Sequence, residues 1–157
     1  MRTKLTRRLK RLARALVYLA VLLIVGAGFA HAQALNLELG VAVHGHDAVA
    51  YFSENRAVAG AREFAHQWMG AEWRFASAAN RDAFAREPEK YAPQYGGFCA
   101  YAMAGGYRAD IDPAAFTLVD GRLYLNANLR TRERWARDIP GNIAKADRNW
   151  PRLLAGN

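Results

Sequence analysis

The chain has 157 residues and a formal charge of +8, too short for a large multidomain enzyme. Seven of its 22 basic residues (Arg2, Lys4, Arg7, Arg8, Lys10, Arg11, Arg14) lie in residues 1–32, which hold no Asp or Glu, so 15 basic and 14 acidic residues remain and the rest of the chain carries only +1. That balance excludes a basic nucleic-acid binder.

The N-terminal order is a basic segment, an uncharged apolar segment from Ala15 to Ala30, and Ala30-His31-Ala32 as an A-x-A exit. This is the pattern of a secretory signal over 1–32, with Gln33 starting a mature domain over 33–157. About 20 apolar residues are needed to span a bilayer, so an uncleaved inner-membrane anchor is the secondary reading. Either way the domain is expected outside the cytoplasm, in a periplasm or its equivalent, meeting a membrane only if the leader stays. The chain has one cysteine, Cys99, so no intrachain disulfide can form and the core alone must hold the fold.

From Leu35 to Val43 a loose alternation suggests extended chain, followed by a turn at His44-Gly45-His46-Asp47. Ala48 to Phe52 reads as a short buried strand, and 53–61 as a polar loop. Residues 63–75 read as a hairpin turning at Gly70-Ala71, which pairs Trp68 with Trp73 and His66 with Phe75. Period-two alternation then puts Phe64, His66, Trp68, Trp73 and Phe75 on one face, taken as the core side. Ser77 is the expected N-cap of a helix from Ala78 to Glu87, stopped by Pro88 and followed by a turn. Residues 95–104 are apolar, suggesting a short buried helix or turn ended by Gly105-Gly106.

Asp120-Gly121 marks the clearest hairpin, 116–126, with Phe116, Leu118, Leu123 and Leu125 on one face. Asn128 is positioned to cap a helix containing Leu129 and Trp135, with Pro140-Gly141 as its breaker. Arg130, Arg132, Arg134 and Arg137, interrupted by Glu133 and Asp138, read as a solvated helix face. Ile139, Ile143, Ala146 and Trp150 form one stripe of a final helix. The expected class is α+β: a single small domain with two antiparallel hairpins and three or four short helices, and no parallel sheet.

Few side chains suit chemistry. His44 and His46 in a His-x-His pair would point to one side of an extended strand, with Asp47 adding an oxygen or orienting a ring. Imidazole-rich sites suit copper or zinc. His66 shares its predicted face with aromatics and would need a hydrogen-bond partner if buried. Cys99, after two glycines, falls at the start of a short helix, where a thiol serves as metal ligand, reactive thiolate or small core residue. A Cys–His hydrolase would require Cys99, a histidine and a third orienting group, but no nucleophile elbow, phosphate loop or HExxH is present.

Several segments in order carry a family likeness: Gly45-His46-Asp47-Ala48-Val49-Ala50-Tyr51-Phe52, then Phe64-x-His66-x-Trp68, Trp73-x-Phe75-x-Ser77-x-x-Asn80, Tyr91-Ala92-Pro93-Gln94-Tyr95-Gly96-Gly97-Phe98-Cys99-Ala100-Tyr101, Val119-Asp120-Gly121-x-Leu123-Tyr124-Leu125-Asn126 and Asp138-Ile139-Pro140-Gly141-Asn142-Ile143. From about His44 to Trp150 the chain resembles exported YHS-domain proteins, whose name fits Tyr51, His66 and Ser77 here. Related domains often carry further cysteines; the matching positions in this chain are Ala50, Ala76 and Asn80. The resemblance implies a non-catalytic module for a transition metal such as copper, with Cys99 and His66 as first ligands, His44 and His46 as second, and Asp47, Tyr51, His66, Ser77 and Cys99 as motif residues. The alternative is a metal-free structural or small-ligand-binding domain with an aromatic pocket of Tyr51, Trp68, Trp73, Phe98 and Tyr101. A cysteine-dependent enzyme stands third. A metal ion or small ligand is the expected partner, and no protein partner is specified.

Overall fold

The computed structural model describes residues 34–156, so the expected signal segment lies outside the described residues. No helix among the described residues is long and apolar enough to cross a membrane. The domain is α+β. A mixed sheet is built from β1 (Leu37–Glu38), β2 (Val41–Ala42), β3 (Ala61–Trp68) and β4 (Ala71–Phe75), in the spatial order β1-β2-β4-β3. A second, two-stranded sheet holds β5 (Asp112–Val119) and β6 (Arg122–Asn126). The helices are α1 (Ala50–Ser53), α2 (Ala78–Arg86), α3 (Pro88–Tyr91), α4 (Ala100–Ala104), α5 (Leu129–Ala136) and α6 (Ile139–Leu154).

Both expected hairpins are present. In β3–β4 the turn residues are Met69-Gly70, at φ 51° and 74°, so His66 faces Trp73 and Trp68 faces Ala71. The turn sits one residue earlier than the sequence suggested. Sliding a turn by one residue moves the pairing by two, which leaves every side chain on its own face. The aromatic face therefore survives the wrong register: Trp73 and Phe75 are buried, while Phe64, His66 and Trp68 are half-buried. Phe84 of α2 closes it, with ring centroids 4.8 Å from Trp73, 5.0 Å from Phe75 and 5.7 Å from Trp68.

The β5–β6 turn at Asp120-Gly121 has φ 48° and 70°, as a type I′ turn requires, and Phe116 faces Leu125 while Leu118 faces Leu123. Strand β6 is buried on both faces. Leu123 and Leu125 enter the core around Tyr51, Trp73 and Phe84, whereas Tyr124 enters a second core with Tyr95, Met103, Trp135 and Ala146. Period-two alternation thus makes one strand the partition between two hydrophobic clusters.

Four expectations need correction. Ala48–Phe52 is not a strand: Asp47 caps it and α1 forms instead, buried as expected. An apolar run of five cannot be assigned by periodicity alone, and the cap decides it. Leu35–Val43 is a tight hairpin whose strand β2 pairs parallel with β4, so the sheet is mixed. The described residues hold six α-helices, more than three or four, because α1 replaces the expected strand and Pro88 opens α3 at its first turn instead of leading into a loop. For the same reason Pro140-Gly141 is not what ends α5, which stops at Ala136: both residues lie in the first turn of α6, where Asp138 accepts a hydrogen bond from Gly141 N at 3.0 Å.

The apolar stripe of α6 covers the second core as expected. Arg130, Arg134 and Arg137 are exposed, and Arg132 is half-buried with its guanidinium on the Phe116 carbonyl.

Candidate functional site

Two short stretches run through left-handed backbone. Val43, His44 and Gly45 have φ of 52°, 49° and 72°; Tyr95, Gly96 and Gly97 have 56°, 62° and 81°. For a non-glycine residue this conformation costs about 1–2 kcal/mol, and Val43 is β-branched, the least tolerant kind. Such strain persists only where surrounding contacts over-determine it, and it gathers at functional sites.

The contacts here converge. Asn36 N donates to Gly96 O at 2.8 Å, tying the first hairpin to the second left-handed turn. The Asn36 amide donates to Asp110 Oδ1 at 2.8 Å, and His44 Nε2 reaches the same oxygen at 2.8 Å. Ile111 N adds a further bond at 2.8 Å. Burial pushes the Asp110 carboxyl upward, but the bonds from Asn36 and Ile111 and the neighbouring imidazole outweigh it, leaving it below the ordinary carboxylate value. Asp110 is therefore the acceptor and His44 Nε2–H the donor, so His44 Nδ1 is the nitrogen left for a ligand.

His44 lines an open basin of about 440 Å³ between the β1–β2 and β3–β4 hairpins. Arg62 of β3, Glu72 and Arg74 of β4, Glu38 of β1 and Leu39 share its wall. Arg74 Nε is held by Glu72 Oε1 at 2.6 Å. The basin is thus polar and carries both signs of charge, arranged on strands rather than on free loops.

The sequence-predicted donors have contacts of their own. Cys99 is buried and caps α4: its sulfur accepts from Ala102 N at 3.5 Å, and its thiol donates to Asn126 Oδ1 at 3.8 Å. His66 lies edge-on to Phe84 with centroids 6.1 Å apart. His46 Nδ1 donates back to the His44 carbonyl at 3.2 Å. The extended His-x-His geometry does not apply, because the backbone at His44 is left-handed. Among the described residues no three His, Cys, Asp or Glu side chains gather in a way that could hold a metal ion.

The other motif residues have structural contacts. Asp47 is fully buried and accepts from Val49 N, Ala50 N, Ala76 N and the Asn80 amide. Tyr51 is fully buried against Phe116 and donates to the Pro113 carbonyl at 3.0 Å; burial first, then Asp112 and Asp47, push its hydroxyl pKa upward. Ser77 caps α2, accepting from Asn80 N at 3.2 Å. Of the aromatics expected around a pocket, Tyr51 and Trp73 are core, Trp68 packs on Trp73 and Phe84, and Tyr101 is exposed.

Sequence reasoning missed Asn36, Arg62, Arg74 and Asp110. The His44–Asp110 and Asn36–Asp110 bonds span 66 and 74 residues, and no local motif marks either end. The only sequence signal was Gly96-Gly97, which allowed a left-handed stretch without requiring one. No family model, curated protein or solved structure matches the chain.

Proposed function

We propose that this chain is an exported, non-catalytic binding domain of the YHS kind, and that its ligand is a small polar molecule bearing an acidic group, seated in the basin fronted by His44. One observation carries the reading: a left-handed stretch that includes the β-branched Val43 places His44 against Asp110 at the basin wall. A ligand carboxylate or phosphate would meet the guanidinium groups of Arg62 and Arg74, which suit bidentate contact, while Glu38 and Glu72 would accept donors on the ligand. We favour the small-ligand alternative over the copper-like module, since among the described residues no three His, Cys, Asp or Glu side chains gather as a metal site would need. It also relocates the ligand from an aromatic pocket to a polar one.

The test is calorimetric titration of the purified protein with a panel of small dicarboxylates, amino acids and inorganic phosphate. Binding should weaken at least about tenfold in His44→Ala and in Arg74→Ala, a loss of about 1.4 kcal/mol. A separate arm titrates copper and zinc. Stoichiometric metal binding that disappears in Cys99→Ser and His66→Ala would overturn this reading and restore the metal module.

A further inference from the structure

A second surface carries ligand chemistry that the His44 basin does not use. Two hollows of about 460 and 260 Å³ lie side by side where α4 meets α6, and they share Gly105. Tyr101, Tyr107 and Lys145 line the smaller; Asn149, Arg152 and Leu153 line the larger. No acidic residue is among those lining either hollow.

Both tyrosines are unusually open, 36% for Tyr101 and 57% for Tyr107. Tyr107 is nevertheless held: its backbone N–H donates to Ala102 O at 3.2 Å, and its ring lies directly over Gly105. A Cβ at position 105 would sit 2.9 Å from Tyr107 Cε1, so the ring occupies the space a side chain there would take. From α6, Lys145 lines the smaller hollow and Arg152, two turns further on, lines the larger. Arg108 closes one end, its guanidinium donating to the Leu153 carbonyl at 2.6 Å. The one acidic residue of α6, Asp147, accepts instead from the Tyr95 hydroxyl at 2.9 Å. In a mature chain of near-zero net charge, this is a local concentration of cations beside fixed, exposed aromatic rings.

We infer that this trough is a binding site for an acidic oligosaccharide, a chain of sugars bearing carboxylates. Sugar rings offer flat C–H faces that stack on tyrosine and carboxylates that meet Lys145 and Arg152, the latter steadied by the Asn149 carbonyl oxygen, which accepts from its guanidinium. An extended acidic peptide fits less well, because it would look for an open strand edge and this trough is lined by helices and a glycine turn. An anionic membrane fits less well too, since the exposed rings are amphipathic tyrosines seated in a concavity rather than protruding apolar side chains.

The experiment is a titration of the full-length protein with a uronic-acid tetrasaccharide, followed by tyrosine fluorescence and calorimetry. Parallel titrations use its methyl-esterified form, a decaglutamate peptide and phosphatidylglycerol vesicles. Saturable binding of the free acid is expected, weakened at least about tenfold in Tyr107→Ala and again in Lys145→Glu. The esterified form should bind more weakly, and Leu129→Asn, at an exposed position lining neither hollow, should bind like the parent. Lys145 is exposed, so its variant keeps the test sharp even if Tyr107→Ala loosens the turn. Absence of saturable binding would overturn the proposal. So would binding of the peptide or the vesicles as strong as that of the sugar, or tetrasaccharide binding indifferent to Tyr107. None of these results bears on the His44 basin, whose variants read a different ligand.

Discussion

Asp47 Oδ2 accepts a hydrogen bond from the Asn80 amide at 2.7 Å, joining the loop before α1 to the first turn of α2 across 33 residues. The same carboxyl group caps α1 through Val49 N at 2.8 Å and Ala50 N at 3.2 Å, and holds Ala76 N at 2.8 Å. It is fully buried, so removing it leaves several donors without acceptor or water. Asp47→Ala should therefore lower unfolding free energy by at least about 3 kcal/mol, and Asn80→Ala by about 1–2 kcal/mol. Urea denaturation measures both. An Asp47→Ala loss below that of Asn80→Ala would show that the carboxyl group is not the joint described.

Leu39 offers the opposite outcome. It is 99% exposed and stands at φ 51° in the two-residue turn Leu39-Gly40, where asparagine or aspartate is preferred. Nothing is lost by removing its side chain, and the backbone strain is relieved. Leu39→Asn should stabilise the domain by about 0.5–1 kcal/mol. A drop in melting temperature would mean that Leu39 makes contacts this structure does not contain.

Gly96 has no room for a side chain. A Cβ there would lie 1.7 Å from Ala34 O, and the backbone is at φ 62°. Gly96→Ala must displace Asn36, whose N–H bonds Gly96 O, and with it the partner of Asp110. The expected cost is about 3 kcal/mol or more. Ligand affinity in the His44 basin should fall in the same variant, read by the titration described above.

Cys99 should be silent in the folded state. Its sulfur is buried and engaged by Ala102 N and Asn126. Labelling by a disulfide reagent should proceed only as fast as the protein opens, and should become immediate in denaturant. Cys99→Ser keeps a cap and should cost about 1 kcal/mol, whereas Cys99→Ala should cost about 2 kcal/mol. Rapid stoichiometric labelling of native protein would revive a reactive thiolate.

Stability should fall at both ends of the pH scale, for different groups. Asp110 is held below its ordinary value of 3.8, so its contribution is present above that pH and is lost as pH falls through the lower folded value. The carboxyl is largely exposed, so the effect is modest, and Asp110→Asn should flatten the acid limb. Tyr51 and Tyr95 are pushed above 10.0, chiefly by burial, so their contributions are intact below pH 10 and fade as pH rises toward the folded values. Tyr51→Phe should reduce the alkaline slope in pH-dependent chemical denaturation. An unchanged alkaline slope in that variant would remove Tyr51 from the account.

Local signals were legible where the physics is local. Ser77 and Asn128 are caps because a side-chain oxygen meets a backbone N–H three residues on. Asp120-Gly121 is a hairpin turn because its φ values are written into those residue types. The aromatic face of β3–β4 was readable despite the misplaced turn, since parity along a strand outlives a one-residue error in the loop.

The sequence by itself determined the α+β class, the two main hairpins and the buried character of Tyr51 and Trp73, because caps, turns and alternation act within a few residues. Only the tertiary structure decided that Cys99 and His66 meet different neighbours, that Asp110 orients His44, and that Tyr107 faces a cationic helix. Those relationships join residues tens of positions apart, where loop closure and packing set the distances and no spacing in the chain encodes them.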